Sequence, residues 1–105
     1  MLFVETPVFT GLVRKSLDDD EYRALQLTLL LRPEQGPFIP GTGGLRKIRW
    51  GKEGRGKRGG LRVIYYWDKP SSRCFMLFLF AKNEQGDLAP SQVRTLARLV
   101  REEFR

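Results

Sequence analysis

The chain predicts an α+β domain: a mostly antiparallel β-sheet preceded by two helices and followed by one. Apolar residues recur at helical spacing in the first third of the chain and again at its end. Between residues 45 and 81, three segments rich in β-branched, aromatic and large aliphatic residues are separated by turn-forming stretches. The length of 105 residues suits one compact domain over residues 1–105 and is too short for two ordinary ones. Helices, then a strand meander, then a helix indicate helices gathered on one sheet face, with the other face open.

The elements follow in order. Leu2-Phe3-Val4 predicts a short first strand, and the stretch from Pro7 to about Lys15 a short helix with Val8, Leu12 and Val13 inward. Asp18 is placed to cap a second helix, with Glu21 three residues on as in a capping box, and Tyr22, Leu25, Leu29 and Leu30 at helical spacing. Pro33 ends it, because proline cannot donate to the helical ladder. The run QGPFIPGTGG over 35–44 is turn chemistry and delivers the chain to a sheet. Strands are expected at Leu45 to Trp50, Leu61 to Trp67 and Cys74 to Ala81, with Asp68 to Arg73 closing an antiparallel hairpin. Pro90 opens a last helix, with Val93, Leu96, Ala97, Val100 and Phe104 along one face. There is no internal repeat.

Composition excludes several function classes. At 41% apolar and 30% charged residues, the chain has enough apolar surface to offset its folding entropy and does not read as disordered. No stretch approaches the roughly 18 uncharged apolar residues of a membrane span, and Met1-Leu2-Phe3-Val4-Glu5 lacks the layout of a signal peptide, so a cytosolic protein without membrane contact is expected. Cys74, alone in an apolar run, reads as a buried small hydrophobe. The chain has no histidine, which removes the commonest general base and any Cys/His zinc site. Catalysis, if present, falls to Lys, Arg, Tyr or carboxylates, and no metal site is expected.

The formal charge is +7, and its location is informative. Arg46, Lys47, Arg49, Lys52, Arg55, Lys57, Arg58 and Arg62 stand against Glu53 alone, so this segment carries the whole excess; the remainder is electrically balanced. A local cationic patch on a neutral body draws polyanions by displacing their counterions, and nucleic acid is the commonest cytosolic polyanion.

Two motifs within the patch are decoys. Gly51 to Arg58 resembles a phosphate-binding P-loop until Arg58 replaces the Ser or Thr that would hold magnesium. Gly54-Arg55-Gly56-Lys57-Arg58-Gly59 matches a dinucleotide fingerprint, yet it lies between two strands and lacks the following helix. The segment reads better as a Gly/Lys/Arg hairpin whose backbone approaches phosphates while its cations neutralise them. Arg46, Lys52, Arg55 and Arg58 are thus candidate nucleic-acid contacts, RNA contacts under the resemblance that follows. The aromatic stripes of the neighbouring strands are core, except that one ring, Tyr65 or Trp50, is a candidate to stack on a base.

The blocks GTGGLRKIRW, GKRGGLRVIYYW and LFLFAKNEQGDL resemble the signature of HigB-type toxins in the RelE/ParE superfamily, over a span from Phe3 to the C-terminal helix. The resemblance implies a RelE-like microbial RNase fold and cofactor-free cleavage of mRNA in the A site of the small ribosomal subunit. It also implies a cognate antitoxin, often a helix-turn-helix repressor. Basic residues on the strand before the hairpin line such sites, which maps to Lys47 and Arg49. An arginine opening the next strand maps to Arg62, and a basic pair after the following strand maps to Lys82 and Asn83, the second member being neutral here. A tyrosine that some relatives carry nearby falls at Leu88.

RNA cleavage through the 2′-hydroxyl asks for a base, positive charge around the phosphate and an acid for the leaving 5′-oxygen, all of which Lys and Arg can supply. Lys47, Lys57 and Lys82 are candidates for the base, since like charges disfavour an ammonium. Arg62 is the candidate phosphate clamp, because its fork of donors fits phosphate oxygens in pairs. Glu84 and Asp87 are expected to pair with Lys82 or to cap the last helix. Two other classes share these features: a ParE-like DNA gyrase poison, which needs no RNA-cleaving cluster, and a non-catalytic RNA- or ribosome-binding module, for which charge and stacking suffice.

Overall fold

A computed structural model describes residues 1–51 and 60–104. In chain order the elements are β1 (Leu2–Glu5), α1 (Pro7–Ser16), α2 (Asp19–Leu31), β2 (Arg46–Trp50), β3 (Leu61–Asp68), β4 (Arg73–Ala81) and α3 (Pro90–Leu99), which runs on into a π-helical turn at Val100–Phe104. The four strands form one sheet in the order β1-β4-β3-β2. β2 and β3 pair antiparallel, as do β3 and β4, whereas β1 joins β4 in parallel, so the sheet is mixed. This is the α+β class expected from the sequence.

Local chemistry fixes the helix starts. Thr6 caps α1, accepting from the Phe9 N–H at 3.0 Å, and its hydroxyl donates to the Leu77 carbonyl at 2.9 Å. Asp18 and Glu21 form the reciprocal capping box of α2, with Asp18 Oδ1 accepting from the Glu21 N–H at 2.7 Å and Glu21 Oε1 from the Asp18 N–H at 2.9 Å. In α1 the inward pair is Phe9 and Val13, four residues apart, while Val8 is 58% exposed. The expected helix phase is therefore corrected by one residue at its start. In α2, Leu25 and Leu29 are fully buried and Leu30 faces outward.

The helices do not share one face. Phe9, Val13, Leu25 and Leu29 pack with Ile48, Val63, Tyr65, Cys74, Met76 and Leu79 on one side of the sheet. On the other side, Leu96 and Val100 pack with Leu45, Ile64, Leu77 and Phe80, joined by Tyr66, Phe75 and Phe104. The expectation of an open sheet face is thus corrected: α3 covers it in part. The cause is visible in β3 and β4, whose residues are apolar at both parities, as strands covered on both sides require.

A β-bulge adjusts the second face. Ile64 pairs with Phe78 but Tyr65 with Met76, leaving Leu77 as the extra residue, so Leu77 and Phe78 both reach the core under α3. The adjacent Met76 carbonyl accepts from the Thr6 N–H at 3.0 Å, tying the bulge to the start of α1.

Candidate active site

Alternation along β2 sorts its residues between the two faces. Ile48 and Trp50 join the core beneath α1 and α2, which places Lys47 and Arg49 on the opposite face, the one that carries α3. On β3 the same face holds Arg62, Ile64 and Tyr66. Register brings these together: Arg49 lies opposite Arg62, and Lys47 opposite Ile64. No residue of β2 belongs to the core beneath α3, so α3 covers the apolar columns of β3 and β4 and stops short of the cationic column.

Two arginines opposite one another on the same face repel, and such a pairing is unfavourable for the sheet by itself. Arg62 is only 6% exposed, whereas Arg49 is exposed, so the pair forms a buried cationic floor with a solvent-facing cation beside it. The Asp87 charge interacts with Arg62, and a phosphate with several acceptor oxygens suits a guanidinium fork.

Lys82 follows β4 at the same end of the sheet. Its backbone N–H donates to the Gly60 carbonyl at 3.1 Å, next to the start of β3. Gly60 has φ of +66°, and a Cβ there would lie 2.8 Å from the Trp50 carbonyl oxygen, so only glycine fits where the chain re-enters the sheet.

Asp87 meets Lys47 rather than Lys82. Its Oδ1 accepts from Lys47 Nζ at 3.2 Å and from the Leu88 N–H at 2.8 Å. These donors, the Leu88 N–H first and then Lys47, hold the Asp87 carboxyl below the ordinary carboxylate range, and the Arg62 charge adds to the effect. Leu88 itself packs into the core beneath α3, so the position where some relatives carry a tyrosine is here an apolar anchor. The expected roles for Asp87 are therefore corrected. Its partner lies 40 residues away in the chain, and no local sequence signal marks the pair.

Two other expectations change. Arg46 points to the opposite face, where its guanidinium donates to the carbonyls of Glu34 at 2.8 Å and Gly36 at 2.9 Å and lies 3.9 Å over the Phe38 ring. It braces the loop before β2, and those donors are committed there rather than to RNA. Tyr65 has no exposed surface; its hydroxyl donates to the Pro33 carbonyl at 2.7 Å and accepts from the Gly36 N–H at 3.0 Å. A ring so enclosed cannot stack on a base, and stacking by Tyr65 is withdrawn. Trp50 is partly buried against the α1/α2 core. Lys52, Arg55, Lys57 and Arg58 lie outside the described residues. Lys47, Arg49, Arg62, Lys82 and Asp87 remain at one end of the sheet.

A family model described as the RelE toxin of the RelE/RelB toxin-antitoxin system matches residues 38–104. The chain belongs to the RelE toxin family. The matched segment holds β2, β3, β4 and α3, and with them every residue of the cationic cluster. Among solved structures, the E. coli toxin RelE, a double mutant in the free state, is similar with a TM-score of 0.59. It covers 92% of this chain and 93% of its own, at 16% identity, and the likeness is one of fold. This RelE-family chain is thus the toxin component of a toxin-antitoxin system. Among its described residues, no helix is long and apolar enough to cross a membrane.

Proposed function

We propose that this toxin is a ribosome-dependent mRNA endoribonuclease of the HigB type, acting as a single domain in the cytoplasm and inhibiting translation by cutting mRNA in the ribosomal A site. The observation that carries the proposal is the juxtaposition of Lys47, Arg49 and Arg62 on one sheet face, beside the apolar columns that α3 covers. A group of neighbouring cations suits a reaction whose transition state gathers negative charge on a phosphate.

The cleavage needs no metal. A lysine in its amine form, at Lys57 or Lys82, takes the proton from the ribose 2′-hydroxyl, while Lys47, paired with Asp87, joins the charges around the phosphate; the 2′-oxygen forms a bond to phosphorus. The bond from phosphorus to the 5′-oxygen breaks, and a protonated side chain of the cluster returns a proton to that oxygen. The products are a 2′,3′-cyclic phosphate and a 5′-hydroxyl. Arg62 and Arg49 hold the phosphate oxygens, while Lys52, Arg55 and Arg58 neutralise flanking phosphates. A cognate antitoxin of the helix-turn-helix type restrains the toxin.

The test is end-group analysis of mRNA from a reconstituted translation reaction, run with and without ribosomes. Cuts that appear only with ribosomes and carry 2′,3′-cyclic phosphate and 5′-hydroxyl ends are expected. Intact mRNA combined with blocked DNA supercoiling would replace this proposal by the gyrase-poison alternative, and intact mRNA combined with RNA binding by the binding-module alternative.

A further inference from the structure

Asp87, at the cationic end of the sheet, is a carboxylate that the cleavage chemistry leaves without a task. Asp87 sits in the turn between β4 and α3, a turn knit by its own side chains. Gln85 Nε2 donates to the Asp87 carbonyl and to Gln92 Oε1, both at 2.9 Å, and Gln92 Oε1 also accepts from the Ala89 N–H at 2.8 Å. Leu88, next in sequence, is anchored in the core beneath α3. The Asp87 carboxylate is therefore delivered by a braced turn, and among the described residues the side chain it grips is Lys47.

Lys47 needs such a grip. A lysine side chain is rich in rotamers, and its ammonium, unlike a guanidinium, has no planar fork to fix its aim. The backbone of Lys47 is itself well placed, its N–H donating to the Pro37 carbonyl at 3.1 Å within β2. Its ammonium is then held at the far end by Asp87 Oδ1 at 3.2 Å, so the chain is fixed at both ends.

We propose that Asp87 is a positioning residue for RNA cleavage, holding the Lys47 ammonium at the phosphate seat formed with Arg49 and Arg62. The proposal rests on the nuclease function above and adds a residue to it. It also predicts opposite signs for binding and catalysis. Asp87 is the one carboxylate described at this seat, so neutralising it makes the seat more cationic and tightens RNA binding, while the loosened Lys47 slows the chemistry.

The experiment compares the full-length wild type with Asp87→Asn, which keeps an acceptor for the Leu88 N–H and removes only the charge. In single-turnover cleavage on ribosomes, the maximal rate of Asp87→Asn is expected to fall by about ten- to a hundred-fold, the scale of a small misplacement of a reacting group. The toxin concentration for half-maximal cleavage is expected to stay level or fall by up to about five-fold, as removal of one nearby charge in high dielectric allows. Asp87→Glu should recover part of the rate. Because Asp87 acts through Lys47, the double variant Lys47→Met/Asp87→Asn should cleave no more slowly than Lys47→Met alone. A wild-type rate in Asp87→Asn, or full additivity in the double variant, overturns the assignment. If the wild type itself leaves mRNA intact, the nuclease function fails, and acylation of Lys47 by acetic anhydride, followed by mass spectrometry, tests the grip alone. Several-fold faster labelling of Lys47 in Asp87→Asn than in the wild type upholds it, and equal labelling overturns it.

Discussion

Replacing Tyr65 by Phe removes one oxygen atom and separates two accounts of this side chain. The structure gives its hydroxyl two bonds, to the Pro33 carbonyl at 2.7 Å and from the Gly36 N–H at 3.0 Å. The Gly36 N–H is buried, and leaving it without an acceptor costs about 1–3 kcal/mol. The Pro33 carbonyl is partly exposed and regains water, so its loss is nearer the net value of about 1 kcal/mol. Together they give roughly 2–4 kcal/mol, which in a domain of this size lowers the melting temperature by roughly 10–25 °C. The loop that Tyr65 tethers lies against β2, where a Cβ on Gly36 would come within 3.1 Å of the Lys47 carbonyl, so slackening it also loosens the strand that presents Lys47. Thermal unfolding followed by circular dichroism measures the first effect. A Tyr65→Phe variant that melts within about 2 °C of the wild type yet binds RNA poorly would refute this reasoning and restore the ring to the RNA interface.

Gly60→Ala is expected to destabilise the protein by at least about 1–2 kcal/mol, since the position has positive φ and the new methyl would press on the Trp50 carbonyl; urea unfolding checks it, and cleavage should fall with it because Lys82 hangs from the Gly60 carbonyl. Cys74 is fully buried and burial pushes its thiol up to about 12, so iodoacetamide at pH 8 should leave the native protein unmodified and label it only in denaturant, as mass spectrometry would record. The pairing of Asp87 with Lys47 should be fully present at neutral pH. Because the Asp87 pKa is lowered on folding, its contribution to stability is present above the unfolded-state value of about 3.9 and is lost as pH falls below it. An NMR titration of the Asp87 carboxyl that shows an inflection above that value would contradict the pairing.

Much of the fold was legible because its signals are local. The Asp18/Glu21 capping box, the proline after α2 and the strand-rich segments each act within a few residues, and the structure keeps all of them. The two-sided covering of the sheet was present in the sequence as well, in the unbroken apolar runs of β3 and β4, but one-sided packing is the commoner inference from helix-strand-helix order. The site was partly legible. Lys47, Arg49 and Arg62 stand out by charge, and alternation alone separates Arg46 from Lys47. The fate of Tyr65 depends on which parity of β3 faces α1 and α2, and that follows from packing and register rather than from residue type. Asp87 was the least legible, since its role comes from a contact across the sheet and the turn that delivers it.

The account rests on Arg62 as the clamp of the reacting phosphate, and one measurement addresses it directly. The rate of mRNA cleavage on programmed ribosomes would be compared between the wild type and Arg62→Ala, with folding of both verified by circular dichroism. Loss of a preorganised donor to a charged transition state costs on the order of 10²–10³ in rate, and a drop of that size in a folded variant is the predicted result. Cleavage by Arg62→Ala at the wild-type rate would contradict the account.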